Sequence, residues 1–166
     1  LNYEINRMLR QDKKVKAWNG KGICTRRAVN SNLWYAIPED VVQTWKAKVM
    51  KREKVWHRAE LMNLSDYDII RTYEVELQGL INYYNRAHNQ KRLKYLRYLW
   101  ETSLLKTLAN KYQTTVSTII HRYRTFLTGD KRTLIGVKIP RPGKKPLQVI
   151  FGRKKIQRHN AVIQET

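Results

Sequence analysis

The chain has 166 residues, of which 34 are Lys or Arg and 13 are Asp or Glu, so its formal net charge is +21. A hydrophobic content of 42%, with five Trp and ten Tyr, excludes a disordered basic tail, and the length suits one folded domain. No run approaches the roughly 20 apolar residues that span a bilayer, and a single Cys excludes an intrachain disulfide.

Little regular structure is predicted at the start of the chain. The span from Gln11 to Asn32 is rich in Lys, Arg, Asn and Gly without sustained periodicity, which indicates a basic loop. Trp34 to Ile37 are typical of a short strand. A helix is predicted to begin at Pro38, because a proline at the first helical position loses no hydrogen bond and two acidic residues follow near the positive end of the helix dipole.

Two long helices are predicted in the middle of the chain. Ser65, with Asp68 three residues later, approximates a capping box, and apolar residues recur at helical spacing from there to about Asn89. A second helix is predicted from about Lys91 to Tyr112. Its two apolar stripes require two neighbours, which favours a helical bundle with short connections.

A third helix and a β-hairpin are predicted to follow. Thr114 can cap the helix, whose apolar face carries Val116, Ile119, Ile120, Tyr123 and Leu127. After Gly129 the apolar period changes to two, and a Pro/Gly-rich turn over 140–146 separates the two halves of this pattern, which indicates a hairpin. The predicted fold class is therefore mainly α, a helical bundle with short β elements: an N-terminal strand and a C-terminal β-hairpin.

The residue patterns that catalysis needs are missing from the sequence. There is no adjacent Asp-Asp pair to hold divalent ions and no phosphate-binding loop of the Walker type. The four His residues lie about 30 or more positions apart, without zinc-ligand spacing. We therefore predict no catalytic residue, no metal site and no cofactor.

The charge predicts a polyanionic partner. Clustered Lys and Arg gain free energy by releasing the counterions condensed on phosphates, and an anionic membrane surface is the weaker alternative. Residues 113–166 carry 12 basic and only 2 acidic side chains, an imbalance whose self-repulsion phosphate would relieve. We expect nucleic-acid contacts from basic residues of the second and third helices, the hairpin and the tail: Lys91, Arg92, Lys94, Arg97, Lys106, Lys111, Arg122, Arg124, Lys138, Arg141, Lys144, Lys145, Arg153, Lys154, Lys155 and Arg158.

The kind of nucleic acid is left open by these patterns. The stretch from Thr107 to Tyr123 resembles a helix-turn-helix module, in which Ser117, Thr118, His121 and Arg122 can enter a DNA major groove. A helical hairpin inside a bundle gives the same pattern. A helix-turn-helix DNA-binding regulator is therefore an alternative to an RNA-binding protein.

Several segments resemble one family. Gln78-Gly-Leu-Ile-Asn-Tyr-Tyr84, Asn89, Leu93 and Thr102-Ser-Leu-Leu-Lys-Thr-Leu-Ala-Asn-Lys111 are similar to the maturase domain (domain X, or thumb) of group II intron-encoded reverse transcriptases. The run from His57 to Asn63, followed by Ser65 to Asp68, is similar to that family's lead-in to its first thumb helix. Leu1 to Ile5 resembles the strand that leaves the polymerase palm.

The resemblance implies a thumb-like bundle that binds structured group II intron RNA and assists splicing, with no catalysis of its own. It implies a reverse-transcriptase palm domain, in the same or another chain, as a second partner. It also implies a division into 1–64 (palm-exit strand, basic loop and lead-in helix), 65–128 (maturase bundle) and 129–166 (basic hairpin and tail). The Tyr/Phe-x-Asp-Asp polymerase motif is absent from the sequence.

A domain of this descent can also serve as a structural RNA-binding subunit of a larger ribonucleoprotein such as a ribosome. This is the alternative function that the same features indicate. The first residue is Leu rather than Met, so we expect a processed chain or a piece of a longer protein. The expected location is an organelle matrix, mitochondrial or chloroplast, or the bacterial cytoplasm, with no membrane partner.

Overall fold

The computed structural model describes residues 2–10, 14–18, 20–27, 30–126 and 132–157. Four helices form the body of these residues, and antiparallel strands precede and follow them, so the fold is mixed α/β rather than mainly α. The elements are β1 (Glu4–Arg10), β2 (Lys14–Trp18), β3 (Ile23–Arg27), β4 (Asn30–Ala36), α1 (Glu39–Val49), β5 (Met50–Lys51), β6 (Lys54–Val55), a short 3-10 helix (Ala59–Leu61), α2 (Asp66–Tyr83), α3 (Gln90–Lys111), α4 (Val116–Tyr123), β7 (Arg124–Thr125), β8 (Leu134–Arg141) and β9 (Lys144–Phe151).

The largest departure from the sequence prediction lies near the start of the chain. β1 pairs with β4 and β2 pairs with β3, both antiparallel, so the described part of the predicted basic loop from Gln11 to Asn32 is mostly strand, and that prediction is wrong. Backbone hydrogen bonds hold such a pair together without requiring an apolar core face. Trp18 and Ile23, which face each other in the β2–β3 pair, are 70% and 74% exposed.

The helix starts follow the predicted signals to within one residue. The Ser65 hydroxyl accepts from the Asp68 N–H at 3.1 Å, which confirms the cap of α2. Pro38 is the residue before α1 rather than its first helical residue. Thr115, not Thr114, caps α4 and accepts from the Thr118 N–H.

The predicted long helix stops earlier than Asn89 because that residue has another role. α2 ends at Tyr83, and Asn89 is the residue immediately before α3. Its side-chain amide accepts from the Ile37 N–H at 2.9 Å and donates to the Ile37 carbonyl at 3.1 Å. The end of β4 is thereby fixed to the start of α3.

The core lies where α1, α2 and α3 meet around Trp100, which is fully buried. The indole packs edge-on to Tyr73 and against Trp45, with ring centroids 5.7 and 5.1 Å apart. The buried Tyr73 hydroxyl hydrogen-bonds Ser103 and Thr107 of α3 at 2.9 and 3.0 Å, whereas the buried indole N–H of Trp100 has no hydrogen-bond partner among the described residues. The apolar residues predicted from periodicity on α2 are all buried: Ile70, Tyr73, Leu77, Leu80, Ile81 and Tyr84.

The predicted C-terminal hairpin is confirmed as β8 and β9, and it packs on α2 through its base. Ile135 pairs with Phe151, and both are buried in the core. Leu127, predicted on the apolar face of α4, lies outside the described residues. Among the helices that the structure describes, none combines the length and the apolar content needed to cross a membrane.

Candidate nucleic-acid interface

A basic groove runs between α3 and the segment that follows β9. Its volume is about 320 Å³, and four of its six lining residues carry a positive charge. The lining residues are Lys94, Arg97, Arg132, Lys155, Ile156 and Gln157. Four cations around one cavity have the charge and the hydrogen-bond donors that a phosphate requires, since phosphate oxygens accept the hydrogen bonds that Lys and Arg donate.

The hairpin base builds one wall of this groove. The Gly152 N–H donates to the Glu74 carboxylate of α2 at 2.6 Å, which fixes the turn after β9 against the bundle. Arg132 donates to the carbonyls of Gly152 and Arg153 at 3.3 and 3.2 Å, so it is held beside the same turn. The groove is therefore assembled from three parts of the chain that are distant in sequence.

Two carboxylates lie behind the cations. Burial raises the pKa of Glu74, against the opposing effects of the Gly152 N–H and the nearby Arg97. Burial also raises the pKa of Glu101, although Arg97 and Arg132 act in the opposite direction. These acids partly neutralise the inner cations, so the outer charges of Lys94 and Lys155, both exposed, contribute most to the attraction of a phosphate.

The groove continues onto an exposed face of α3. Lys91, Lys94, Tyr95 and Tyr98 have the i, i+3, i+4, i+7 spacing that places them on one side of a helix. The two tyrosines are 45% and 63% exposed, and Lys46 of α1 lies 6.0 Å from the Tyr95 ring centre. Cations beside exposed rings are the combination that binds a single-stranded nucleic acid, through phosphate contacts and base stacking.

The following four of the basic residues predicted as contacts bind distant segments of the described fold. Arg92 donates to the Ile37 carbonyl at 2.6 Å and pairs with Glu39 at 2.9 Å. Lys106 donates to the Val55 carbonyl at 2.7 Å. The other two are Lys111, which binds the Leu64 carbonyl and Asp66 at 2.6 and 2.8 Å, and Lys154, which hydrogen-bonds Asn82. Their part in nucleic-acid binding stays a prediction, whereas their intramolecular contacts stabilise the fold.

The arginines at the end of α4 lie over aromatic rings. The Arg122 guanidinium is 4.6 Å from the Tyr112 ring centre, and that of Arg124 is 4.9 Å from Phe126. Both arginines are exposed. Three other α4 residues that the helix-turn-helix alternative assigns to the DNA major groove are exposed as well: Ser117, Thr118 and His121. The outward face of α4 is therefore a second polar and basic surface.

The hairpin places its basic residues away from the groove. Lys138, Arg141, Lys144 and Lys145 are exposed towards the tip, where Arg141 donates to the Lys145 carbonyl at 2.8 Å. Strands of eight residues, at about 3.3 Å per residue, put this tip roughly 25 Å from the hairpin base. Of the tail residues, Arg153 and Lys155 are exposed near the groove, and Arg158 lies outside the described residues.

Sequence reasoning missed Arg132 in the groove. This residue has no periodic neighbours, since it precedes β8 by two positions, and only the closure of the hairpin brings it to α3. A usable signal was present: it belongs to the basic excess after residue 113. In the described ranges, no three His, Cys, Asp or Glu side chains come together as a metal site would require.

Comparison with known proteins identifies a family over most of the chain. The family model described as type II intron maturase matches residues 38–148, which include α1 to α4 and most of the hairpin. Two proteins named group II intron-encoded protein LtrA, from Lactococcus lactis subsp. cremoris and from its strain MG1363, are each 33% identical to it over 132 residues. The aligned region is 75% of this chain and 21% of those relatives, so the chain spans about a fifth of their length.

Proposed function

The chain belongs to the type II intron maturase family, and on that premise we propose that it binds structured group II intron RNA and assists the splicing of that RNA. The family assignment confirms the resemblance seen in the sequence. In the proposed role the protein holds the RNA in a productive fold, and the RNA supplies the groups that make and break bonds.

The observation that carries the proposal is the groove of Lys94, Arg97, Arg132 and Lys155 beside the exposed tyrosines of α3. Its cations supply affinity through phosphates, which carry no sequence information. In this proposal, selectivity for RNA comes from shape, because a folded RNA offers phosphates to the groove, the α3 face and the hairpin together. Unpaired bases of such an RNA can stack on Tyr95 and Tyr98.

A reverse-transcriptase palm domain is the second partner we propose. The aligned relatives are about five times longer than the region they share with this chain, which leaves room for such a domain in a full-length protein. The start of the chain, from β1 onward, is the expected side of contact.

Two alternative functions predict that the chain binds a different nucleic acid. The exposed Ser117, Thr118, His121 and Arg122 on α4 favour a helix-turn-helix DNA contact as the second candidate. A fixed subunit of a larger ribonucleoprotein would use the same basic surfaces on a ribosomal RNA.

Crosslinking in the native source tests these alternatives together. The protein is irradiated in intact cells, purified under denaturing conditions, and the attached nucleic acid is sequenced. Recovery of group II intron RNA supports the proposed function. Stoichiometric ribosomal RNA would instead support the structural subunit, and a defined duplex DNA sequence would support the DNA-binding regulator.

A further inference from the structure

A second pocket lies farther along α3, between β6, the end of α3 and the start of α4. Its volume is about 280 Å³, below the roughly 300–1,000 Å³ of sites for drug-sized ligands. Residues that line it include Trp56, His57, Lys106, Asn110, Gln113 and Thr114. The size suits a ligand of one flat ring system rather than a larger molecule.

The backbone of Trp56 is hydrogen-bonded on both sides, although the residue is 48% exposed. Its N–H donates to the Val49 carbonyl at 2.8 Å, and its carbonyl accepts from the Ser103 hydroxyl at 2.6 Å. The residues on both sides are fixed to α3 as well, because Lys106 donates to the Val55 carbonyl and the Arg58 N–H donates to Thr107 at 3.0 Å. An exposed ring on a fixed backbone loses little conformational entropy when a ligand stacks on it.

The rings and polar groups of the pocket have the chemistry that recognises a nucleobase. The Trp56 and His57 rings lie 5.1 Å apart and tilted by 30°, so they form one inclined aromatic pair at the pocket. The hydroxyl of Thr114 and the amides of Asn110 and Gln113 supply donors and acceptors for the edge of a base, although one amide hydrogen of Gln113 is committed to the Asn110 carbonyl and one of Asn110 to the Met62 sulfur. Lys106 has three ammonium donors, of which one is committed to the Val55 carbonyl, so it can also bind a phosphate.

The position of the pocket on α3 connects it to the groove. Tyr95, Thr102 and Lys106 follow one another at helical spacing on one face, and the eleven helical steps from Tyr95 to Lys106 rise about 16 Å along the axis. A strand of RNA that leaves the groove across Tyr95 therefore reaches the pocket within a few nucleotides. Lys106 is the one charged residue among those that line the pocket in the described part of the chain, and its sign suits a phosphate.

We propose that this pocket holds one unpaired base of the bound RNA, stacked on Trp56, with the neighbouring phosphate near Lys106. The inference rests on the proposed function and adds to it a preference for RNA that offers an extruded base. Because stacking of a base on an aromatic side chain is lost when that side chain becomes Ala, Trp56→Ala is expected to weaken binding of such an RNA by roughly fivefold to a hundredfold.

The test compares two RNA hairpins that differ by one unpaired uridine in the stem, each titrated with the full chain. The unaltered chain is expected to prefer the bulged hairpin. Trp56→Ala should remove that preference and leave affinity for the paired hairpin unchanged. Trp56→Phe should keep most of the preference. With 5-iodouridine at the bulge, irradiation of the unaltered protein is expected to attach the RNA to the peptide that contains Trp56 and His57, a readout that needs no variant.

The outcomes separate this inference from the function on which it rests. Equal affinity for the two hairpins, or crosslinks only at the groove, overturns the base pocket while leaving RNA binding intact. A preference that survives in a folded Trp56→Ala protein overturns it too. Failure to bind either hairpin overturns the pocket, and failure to bind a folded group II intron transcript as well overturns the proposed function.

Discussion

Gly152 lies directly under the guanidinium of Arg97. A Cβ atom at Gly152 would meet Arg97 Nη2 at 2.7 Å, and the backbone there has a φ of +70°, which favours glycine. The turn that closes the hairpin onto α2 therefore also sets the position of an inner cation of the groove. Fold and candidate interface are coupled at this one residue pair.

Gly152→Ala is expected to lower stability and to displace Arg97. The positive φ costs about 1 kcal/mol for alanine, and the contact with the guanidinium adds to it. Gly143→Ala is the matched control, because Gly143 has a φ of +67° with nothing within 4 Å of a Cβ. Urea unfolding and RNA titration of both variants check this: an equal loss of stability in the two, with unchanged RNA affinity, would show that Arg97 is not displaced.

The exposed groove lysines are expected to set the salt dependence of binding. If each of Lys94 and Lys155 contacts one phosphate, Lys94→Gln and Lys155→Gln should each reduce the slope of log affinity against log salt by about 1. Lys51→Gln, on the exposed β5 strand away from the groove, is the control and should leave the slope unchanged. The measurement is a fluorescence titration of an RNA stem-loop at several salt concentrations. Slopes that match the control in both groove variants would remove these lysines from the interface.

Neighbouring cations on α3 are expected to have different roles. Arg92→Met should lower the free energy of unfolding by about 1 kcal/mol, because it removes a charged hydrogen bond to the Ile37 carbonyl, which keeps the Asn89 amide as a donor. Lys91→Met, one residue earlier and exposed, should leave stability nearly unchanged and weaken RNA binding instead. Chemical unfolding and RNA titration of the two variants give the comparison. The expected division is wrong if both variants lose stability equally.

Asp66 is expected to make stability depend on acid pH. Burial acts to raise the pKa of this carboxyl, but hydrogen bonds from Lys111, Tyr112 and Tyr123 outweigh it, so the pKa is lowered from 3.8. The folded chain then binds fewer protons than the unfolded chain in this range, so the stabilisation is complete above the ordinary pKa and is lost as the pH falls through it and below.

Asp66→Asn should therefore flatten the fall in unfolding free energy between about pH 5 and pH 2, since the amide does not titrate. At neutral pH the same variant should be less stable by about 1–3 kcal/mol, because charged hydrogen bonds become neutral ones. Asp40→Asn, at an exposed position of α1, serves as the control. An acid transition in Asp66→Asn as steep as that of the unaltered protein would contradict this account.

The helices could be predicted from the sequence because their signals are local. The Ser65 cap and the apolar spacing that follows it need only neighbouring residues, and both appear in the structure. The strands β2 and β3 were missed because Trp18 and Ile23, which face each other across the pair, are exposed rather than packed in the core. A weak signal was present, since Lys14, Val15, Lys16 and Ala17 alternate in polarity.

The candidate interface was less accessible to sequence reasoning. Net charge pointed to a polyanion, but whether a cation is free for one depends on contacts about 50 residues away, such as Lys106 with Val55 or Lys111 with Leu64. Arg132 shows the converse, since tertiary structure places in the groove a residue that no local pattern marks. The division into 1–64, 65–128 and 129–166 stays a prediction.

The most direct test of RNA binding is a salt titration of affinity with two ligands, a folded group II intron transcript and duplex DNA of equal length. If six to ten phosphates are contacted, affinity for the transcript should fall by roughly a thousandfold or more between 50 and 200 mM salt, and at each salt concentration it should exceed that for the duplex. No measurable affinity for the transcript near 150 mM salt, or tighter binding of the duplex throughout, would contradict the account.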